Sequence, residues 1–275
     1  MIEHELQYAI ELARAAGKVV LENYGKVERL TKTHVAAKEE AVTETDRAAQ
    51  RIIVAGLRKR FASDGIVGEE SDTGESITFD TRNPQGRNWV IDPIDGTNNF
   101  IAGLGAFAVC IGLLDEGYPI LGVVYDVTRD LVYSAAKAHG AWLGTKQIHA
   151  LQTPISEASM IMMTSNLLTN GRCPEWAYKW LAQTVMKARI LGSAALEAVQ
   201  VAAGIAHGAV TVNGKLWDVA APAAIVLEAG GKLTDFSGKP IFPFDLRNYQ
   251  GAKVPFLAAA PLAQEQLLRD LQSRP

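Results

Sequence analysis

The 275-residue sequence predicts an α+β N-terminal half, residues 1–150, joined to an α/β C-terminal half, residues 151–275. Three observations carry this expectation. Apolar residues recur at helical spacing as far as residue 61. Short β-rich runs separated by turn signals fill residues 106–149, the mark of an antiparallel meander. Beyond Thr153-Pro154 strands and helices alternate, as they do in an α/β layer.

In order along the chain, Leu6, Ile10, Ala13, Val20, Leu21 and Tyr24 predict a first helix, with Gly25 as its C-terminal cap. A second helix is expected to open at Asp46 and to bury Ile52, Ile53, Leu57 and Phe61. Gly65–Gly68 reads as a very short strand ending at Glu69-Glu70-Ser71, and the polar residues 72–88 read as a surface excursion. Trp89–Ile91 is a strand, ended by the rigid turn D-P-I-D-G-T. The meander follows as F-A-V-C-I-G-L-L, I-L-G-V-V-Y-D-V, L-V-Y-S-A-A and G-A-W-L. Strands are expected at 160–164, 189–191 and 209–212, and helices at 175–187, 193–203 and 219–229, the last stopped by Gly230-Gly231.

Composition narrows the function. Hydrophobic content of 48% and charged content of 21% suit an ordinary globular protein. A formal charge of −3 argues against a nucleic-acid surface, which needs clustered Lys and Arg. No apolar run approaches the ~20 residues that span a bilayer, and the acidic start Met-Ile-Glu-His-Glu does not resemble a secretion signal. Cys110 and Cys173 read as two reduced thiols of a cytoplasmic protein, and with five scattered histidines they make no zinc site.

The carboxylates at element ends are more telling. Asp46, Glu69, Glu70, Asp92, Asp95 and Asp218 all fall at such junctions. Asp46 and Asp218 have a structural explanation as N-caps, and Glu69-Glu70 as a solvated loop pair. The D-P-I-D-G-T stretch does not. Pro93 fixes the backbone, Gly96 permits a bend, and two like charges are held close with no cation between Trp89 and Phe100. Oxygen ligands without His or Cys suit Mg²⁺. A helical turn starting at Gly96-Thr97 would offer free N–H groups to a phosphate, and Thr97 is placed to orient an attacking water. With no Walker lysine motif, the set points to metal-assisted hydrolysis of a phosphate ester. A covalent aspartyl phosphate is disfavoured, because that chemistry uses D-x-D and here the spacing is three with proline between.

The segments V-T-E-T-D (42–46), G-E-E-S (68–71), W-V-I-D-P-I-D-G-T (89–97), G-S-A-A (192–195), W-D-V-A-A (217–221) and E-A-G-G (228–231) stand in the order found in one family. The chain resembles the inositol monophosphatase family of magnesium-dependent, lithium-sensitive phosphatases, over roughly its whole length. The resemblance implies a layered αβαβα sandwich of the sugar-phosphatase type and a homodimer. It implies two or three Mg²⁺ ions: Glu69, Asp92 and the carbonyl of Ile94 on the first, Asp92, Asp95 and Asp218 on the second, Glu69 and Glu70 on a weaker third. Thr97 and Asp46 would polarise the water with Glu69 in support. Gly96 and Thr97 amides would face the phosphate, and Gly192, Ser193 and Ala194 the alcohol.

Two departures bear on the substrate. Members acting on inositol phosphate carry a glutamate seven residues before the W-D aspartate, where this chain has Thr211, with Asn213 or Lys215 left to face the leaving group. The family's lysine before V-T-x-T-D has no counterpart, since Lys32 and Lys38 are shifted. Inositol monophosphate is the first expectation; fructose-1,6-bisphosphate, histidinol phosphate and 3′-phosphoadenosine 5′-phosphate are the alternatives, beside a non-catalytic regulator on the same fold.

Overall fold

The structure, a computed structural model, describes residues 2–26, 35–70, 78–81, 83–165, 167 and 173–272, with 35–43, 78 and 79 described by backbone alone. Its elements are α1 (Ile2–Asn23), α2 (Val35–Arg60), β1 (Gly65–Gly68), β2 (Thr78–Asp80), β3 (Asn88–Asp95), α3 (Thr97–Ala102), β4 (Ala108–Asp115), β5 (Tyr118–Asp126), β6 (Leu131–Ala136), β7 (Ala141–Leu143) and β8 (Lys146–Ile148). Then come β9 (Ser159–Met163), α4 (Glu175–Ala182), β10 (Met186–Arg189), α5 (Ala194–Ala202), β11 (Gly208–Thr211), α6 (Leu216–Glu228), β12 (Lys232–Thr234), β13 (Phe256–Ala259) and α7 (Gln264–Gln272).

An eight-stranded sheet in the order β2-β1-β3-β4-β5-β6-β7-β8 is antiparallel except for β1 beside β3. A five-stranded sheet in the order β10-β9-β11-β13-β12 has β9, β10 and β11 parallel. Both faces of the large sheet are buried from β3 to β6, so these strands read as continuous apolar runs. In β4, Val109, Ile111 and Leu113 join the core under α1 and α2, while Ala108 and Cys110 join the core shared with α5 and α6. Across the small sheet, Met162 faces α5 and α6, whereas Ile161 and Met163 pack with Trp176, Trp180 and Leu267 of α4 and α7. The layers are therefore helix, sheet, helix, sheet, helix, the αβαβα sandwich.

The middle layer lies hard against the sheet. A Cβ added at Gly122 would lie 2.2 Å from the carbonyl oxygen of Ala221, and one at Gly112 2.9 Å from its amide nitrogen. Only glycines below and alanines above let α6 rest its backbone on β4 and β5, which is the physical content of W-D-V-A-A.

Several expected boundaries move. The second helix begins at Val35, so Asp46 lies inside it and is no N-cap. A short strand, β2, interrupts the polar excursion and pairs with β1. The fourth helix ends at Ala182 rather than 187, because Gln183 turns extended and the chain enters β10 at Met186, ahead of the expected strand at 189. Leu21 is 48% exposed, since Ala9, Leu12, Ala13, Ala16 and Val20 form the buried stripe. Lys32 lies outside the described residues.

Candidate active site

The strand expected to stop at Ile91 continues to Asp95. Asp92 pairs with Cys110 and Asp95 with Ala108, three steps on β3 against two on β4, so one residue is extra. In a regular strand residues three apart point to opposite faces; the β-bulge returns Asp95 to the face of Asp92. Ile94 turns the other way, into the core beneath α1 and α2. Pro93 has no N–H to lose from the ladder, which suits it to a bulge.

Asp218 arrives from the opposite side. The helix α6 starts at Leu216, three residues before the expected 219, and Lys215 is its N-cap. Asp218 thus sits in the first turn and accepts a hydrogen bond from the Lys215 amide at 2.6 Å. Its carboxylate and those of Asp92 and Asp95 offer oxygens all within 4.8 Å of one another. Glu69 lies beside Asp92, close enough for its carboxylate to accept a hydrogen bond when Asp92 carries a proton. The Glu69 amide donates to Ile91 at 3.2 Å, and Gln50 grips the next peptide, accepting from the Glu70 amide at 3.0 Å and donating to its carbonyl. A Cβ at Gly68 would collide with that glutamine.

The charge balance is unfavourable without a cation. Burial first, then the Asp218 charge, lifts the Glu69 carboxyl from 4.5 to about 8. Burial and Asp218 lift Asp95 from 3.8 to about 7, against the pull of three donors: the Ser193 hydroxyl, the Ala194 amide at 3.1 Å and the Ala195 amide at 2.8 Å. Asp92 is raised by burial, Glu69 and Asp95, and Asp46 by burial, Glu69 and Glu70. Burial also raises Asp218 and Glu70. One oxygen of Asp46 is buried with no hydrogen-bond partner. An all-oxygen donor set of this kind, with raised carboxyls and an orphaned oxygen, fits a hard divalent cation.

Beside Asp95 and Asp218 opens a cavity of about 270 Å³ lined also by Gly96, Thr97, Asn98, Thr164, Ser165, Gly192, Ala194, Thr211, Asn213 and Gly214. The chain leaves β9 into Thr164-Ser165, β10 into Gly192 and β11 into Asn213-Gly214, so the carboxyl ends of all three parallel strands meet here, as in open α/β sheets generally. Thr164, Ser165, Asn98 and Gly214 escaped sequence reasoning; their only signal is their place just past a strand or at a helix start.

The remaining expected residues divide. Gly96, Thr97, Gly192, Ala194, Thr211 and Asn213 stand on the cavity wall, whereas Ser193 is buried behind it, spent on Asp95 and on capping α5. The Thr97 hydroxyl donates to the Ile94 carbonyl at 3.0 Å, and no hydrogen bond joins it to Asp46 among the described residues. Lys215 does not face the cavity: its ammonium donates to Gly251, 5.9 Å from the Trp217 ring. Lys253 donates to the side chain of Asn213, a residue of the wall, at 2.7 Å. No helix among the described residues is long and apolar enough to cross a membrane.

The sequence profile of the inositol monophosphatase family matches residues 1–275. A fructose-1,6-bisphosphatase/inositol-1-monophosphatase of Thermotoga maritima is 36% identical over 236 residues, 85% of this chain and 86% of that protein. A protein named Nus factor SuhB from Pasteurella multocida is 34% identical over 236 residues, 85% of each. The solved structure of a Thermotoga maritima IMPase superposes with a TM-score of 0.79 at 30% identity, covering 98% of this chain and 96% of that one.

Proposed function

The chain belongs to the inositol monophosphatase family, and on that premise we propose that it is a Mg²⁺-dependent phosphomonoesterase acting on a small phosphorylated alcohol. The observation that carries the reading is the meeting of Asp92, Asp95 and Asp218 at the edge of a polar cavity. Asp92, Asp95, Asp218, Glu69 and the Ile94 carbonyl would hold two Mg²⁺ ions, with Glu70 and Glu69 at a third. Bound there, the ions supply a Lewis acid that neutralises phosphate charge, lowers the pKa of water and stabilises a leaving alkoxide. Gly96 and Thr97 orient the phosphoryl group from the helix start beneath it. Asp46 carries a buried oxygen free to take a proton, and Thr97 positions the water from the cavity wall. Gly192, Ala194, Thr164, Ser165, Thr211 and Asn213 bind the alcohol. The protein works as a homodimer in the cytoplasm in this reading, and Li⁺ inhibits it by taking a metal position.

Inositol monophosphate is the first substrate proposed. Fructose-1,6-bisphosphate is the second, favoured by the name of the Thermotoga relative and by Lys253 beside Asn213, which would welcome a second anion. Phosphate release should be measured on inositol 1-phosphate, fructose-1,6-bisphosphate, histidinol phosphate and 3′-phosphoadenosine 5′-phosphate, with Mg²⁺ and with excess chelator. Turnover of at least one ester with Mg²⁺ and none in chelator is the expected result. Without a carboxylate at Thr211 to grip ring hydroxyls, inositol phosphate should show a raised KM with kcat little affected. No hydrolysis of any ester would turn the reading towards a non-catalytic regulatory or binding protein on the same fold, a class to which a relative named as a Nus factor draws attention.

A further inference from the structure

Glu197 is a buried carboxyl that the proposed chemistry does not use. It lies on α5 in the middle layer, 0% exposed, and does not touch the cavity. One oxygen, Oε1, accepts from the amides of Leu191 at 2.7 Å and Gly192 at 3.0 Å; the other has no partner. The same turn is held from its other side by Asn99, whose Nδ2 donates to the Leu191 carbonyl and to the Ala106 carbonyl, each at 2.7 Å. Gly192 takes φ +79° between these two grips, and a Cβ there would come within 3.0 Å of the Asn99 amide.

What the turn delivers is the three donors that Asp95 has among the described residues. Immediately after Gly192 the Ser193 hydroxyl and the amides of Ala194 and Ala195 close on the Asp95 carboxylate. The turn is thus held at both its N–H and C=O groups on the side from which it donates to the carboxylate.

We infer that Glu197, with Asn99 as its counterpart, is a positioning residue that sets the Asp95 carboxylate for its cation through the 191–193 turn. The inference rests on the reading of Asp95 as a metal ligand. It makes a distinction of reach against charge. Burial pushes the Glu197 carboxyl up to about 8, so it stands protonated at neutral pH, and glutamine reproduces its accepting oxygen at the same distance. Aspartate keeps the acid but falls one methylene short of the turn.

The test is Mg²⁺ binding by titration calorimetry, with metal-free melting temperature and the kcat and KM of the best ester alongside. Glu197→Asp should bind Mg²⁺ about tenfold or more weaker and lose kcat with KM little changed, while Glu197→Gln stays within about threefold of wild type, the scale expected when a group that orients a metal ligand is removed or kept. If Glu197→Asp binds Mg²⁺ as wild type does, whatever its melting temperature, Glu197 only supports the fold. Equal losses in Glu197→Asp and Glu197→Gln would likewise overturn the assignment. Should Glu197→Asp not fold, Asn99→Ala decides by the same measurement, with the same loss expected and unchanged Mg²⁺ affinity counting against. A wild type that binds no Mg²⁺ overturns the reading of the site itself.

Discussion

Asp92 and Asp95 stand three residues apart on β3 and carry different loads. Asp92 accepts one amide, that of Ile94 at 3.0 Å, and otherwise faces Glu69 and Asp218. Asparagine at 92 keeps the acceptor for Ile94 and turns a donor towards the neighbouring carboxylates, leaving no carboxyl there that must hold a proton to sit among them. Metal-free Asp92→Asn should therefore melt at or above wild type, by on the order of 1 kcal/mol, while gaining no stability from Mg²⁺ and losing turnover. Melting with and without Mg²⁺ checks this, and a clearly lower metal-free melt would make Asp92 chiefly structural. Asp95 would give no such relief, since its two oxygens take three donors and an amide nitrogen there would face an N–H. The sequence shows both aspartates plainly, because a strand-forming run leading to D-P-I-D-G has no cheap structural use for two close charges. It does not show the bulge. Proline and glycine signal a turn and a bulge alike, and the pairing with Cys110 and Ala108 that decides between them is a long-range fact.

Among elements, α6 is the one that completes the site, because Asp218 reaches β3 only while the helix lies flat on the large sheet. Gly122 and Gly112 make that approach possible. Gly122→Ala would press a methyl group into the Ala221 carbonyl, and neither sheet nor helix backbone can yield cheaply. It should destabilise the protein by about 1–3 kcal/mol, as overpacking does. Weaker Mg²⁺ binding should accompany it, as Asp218 is lifted from Asp92. An unchanged melting temperature would show that α6 is not wedged against the sheet. The meander and α5 are legible in the sequence because turn residues and the Ser193 cap are local signals. Other elements are not. Where α4 gives way to β10, Thr184, Val185 and Met186 suit either state, and sheet pairing with β9 makes the choice. Asp46 has the right residue type for an N-cap, yet a helix already running from Val35 carries it inside.

The whole molecule brings two sheets and their shared helical layer together around carboxylates that repel one another. Glu69 and Asp95 stand at about 8 and about 7 in the fold, against 4.5 and 3.8 as ordinary values, and Asp92, Asp46 and Asp218 are raised too. The sign of the consequence is definite. Between those values the fold retains protons that the unfolded chain releases, so each unit of rising pH favours unfolding. The stability these groups lend the metal-free fold is complete below 3.8 and is lost as pH rises through about 8. A cation bound by the same carboxylates reverses the preference, because it binds them ionised. The most direct test is the melting temperature of one protein from pH 5 to 8, chelated and with saturating Mg²⁺. The chelated protein should lose stability steadily across this range, and Mg²⁺ should remove most of the fall, so that its stabilising effect is largest at pH 8. A chelated profile that is flat or rises with pH, or one that Mg²⁺ leaves unchanged, would contradict an acidic cluster built for a metal.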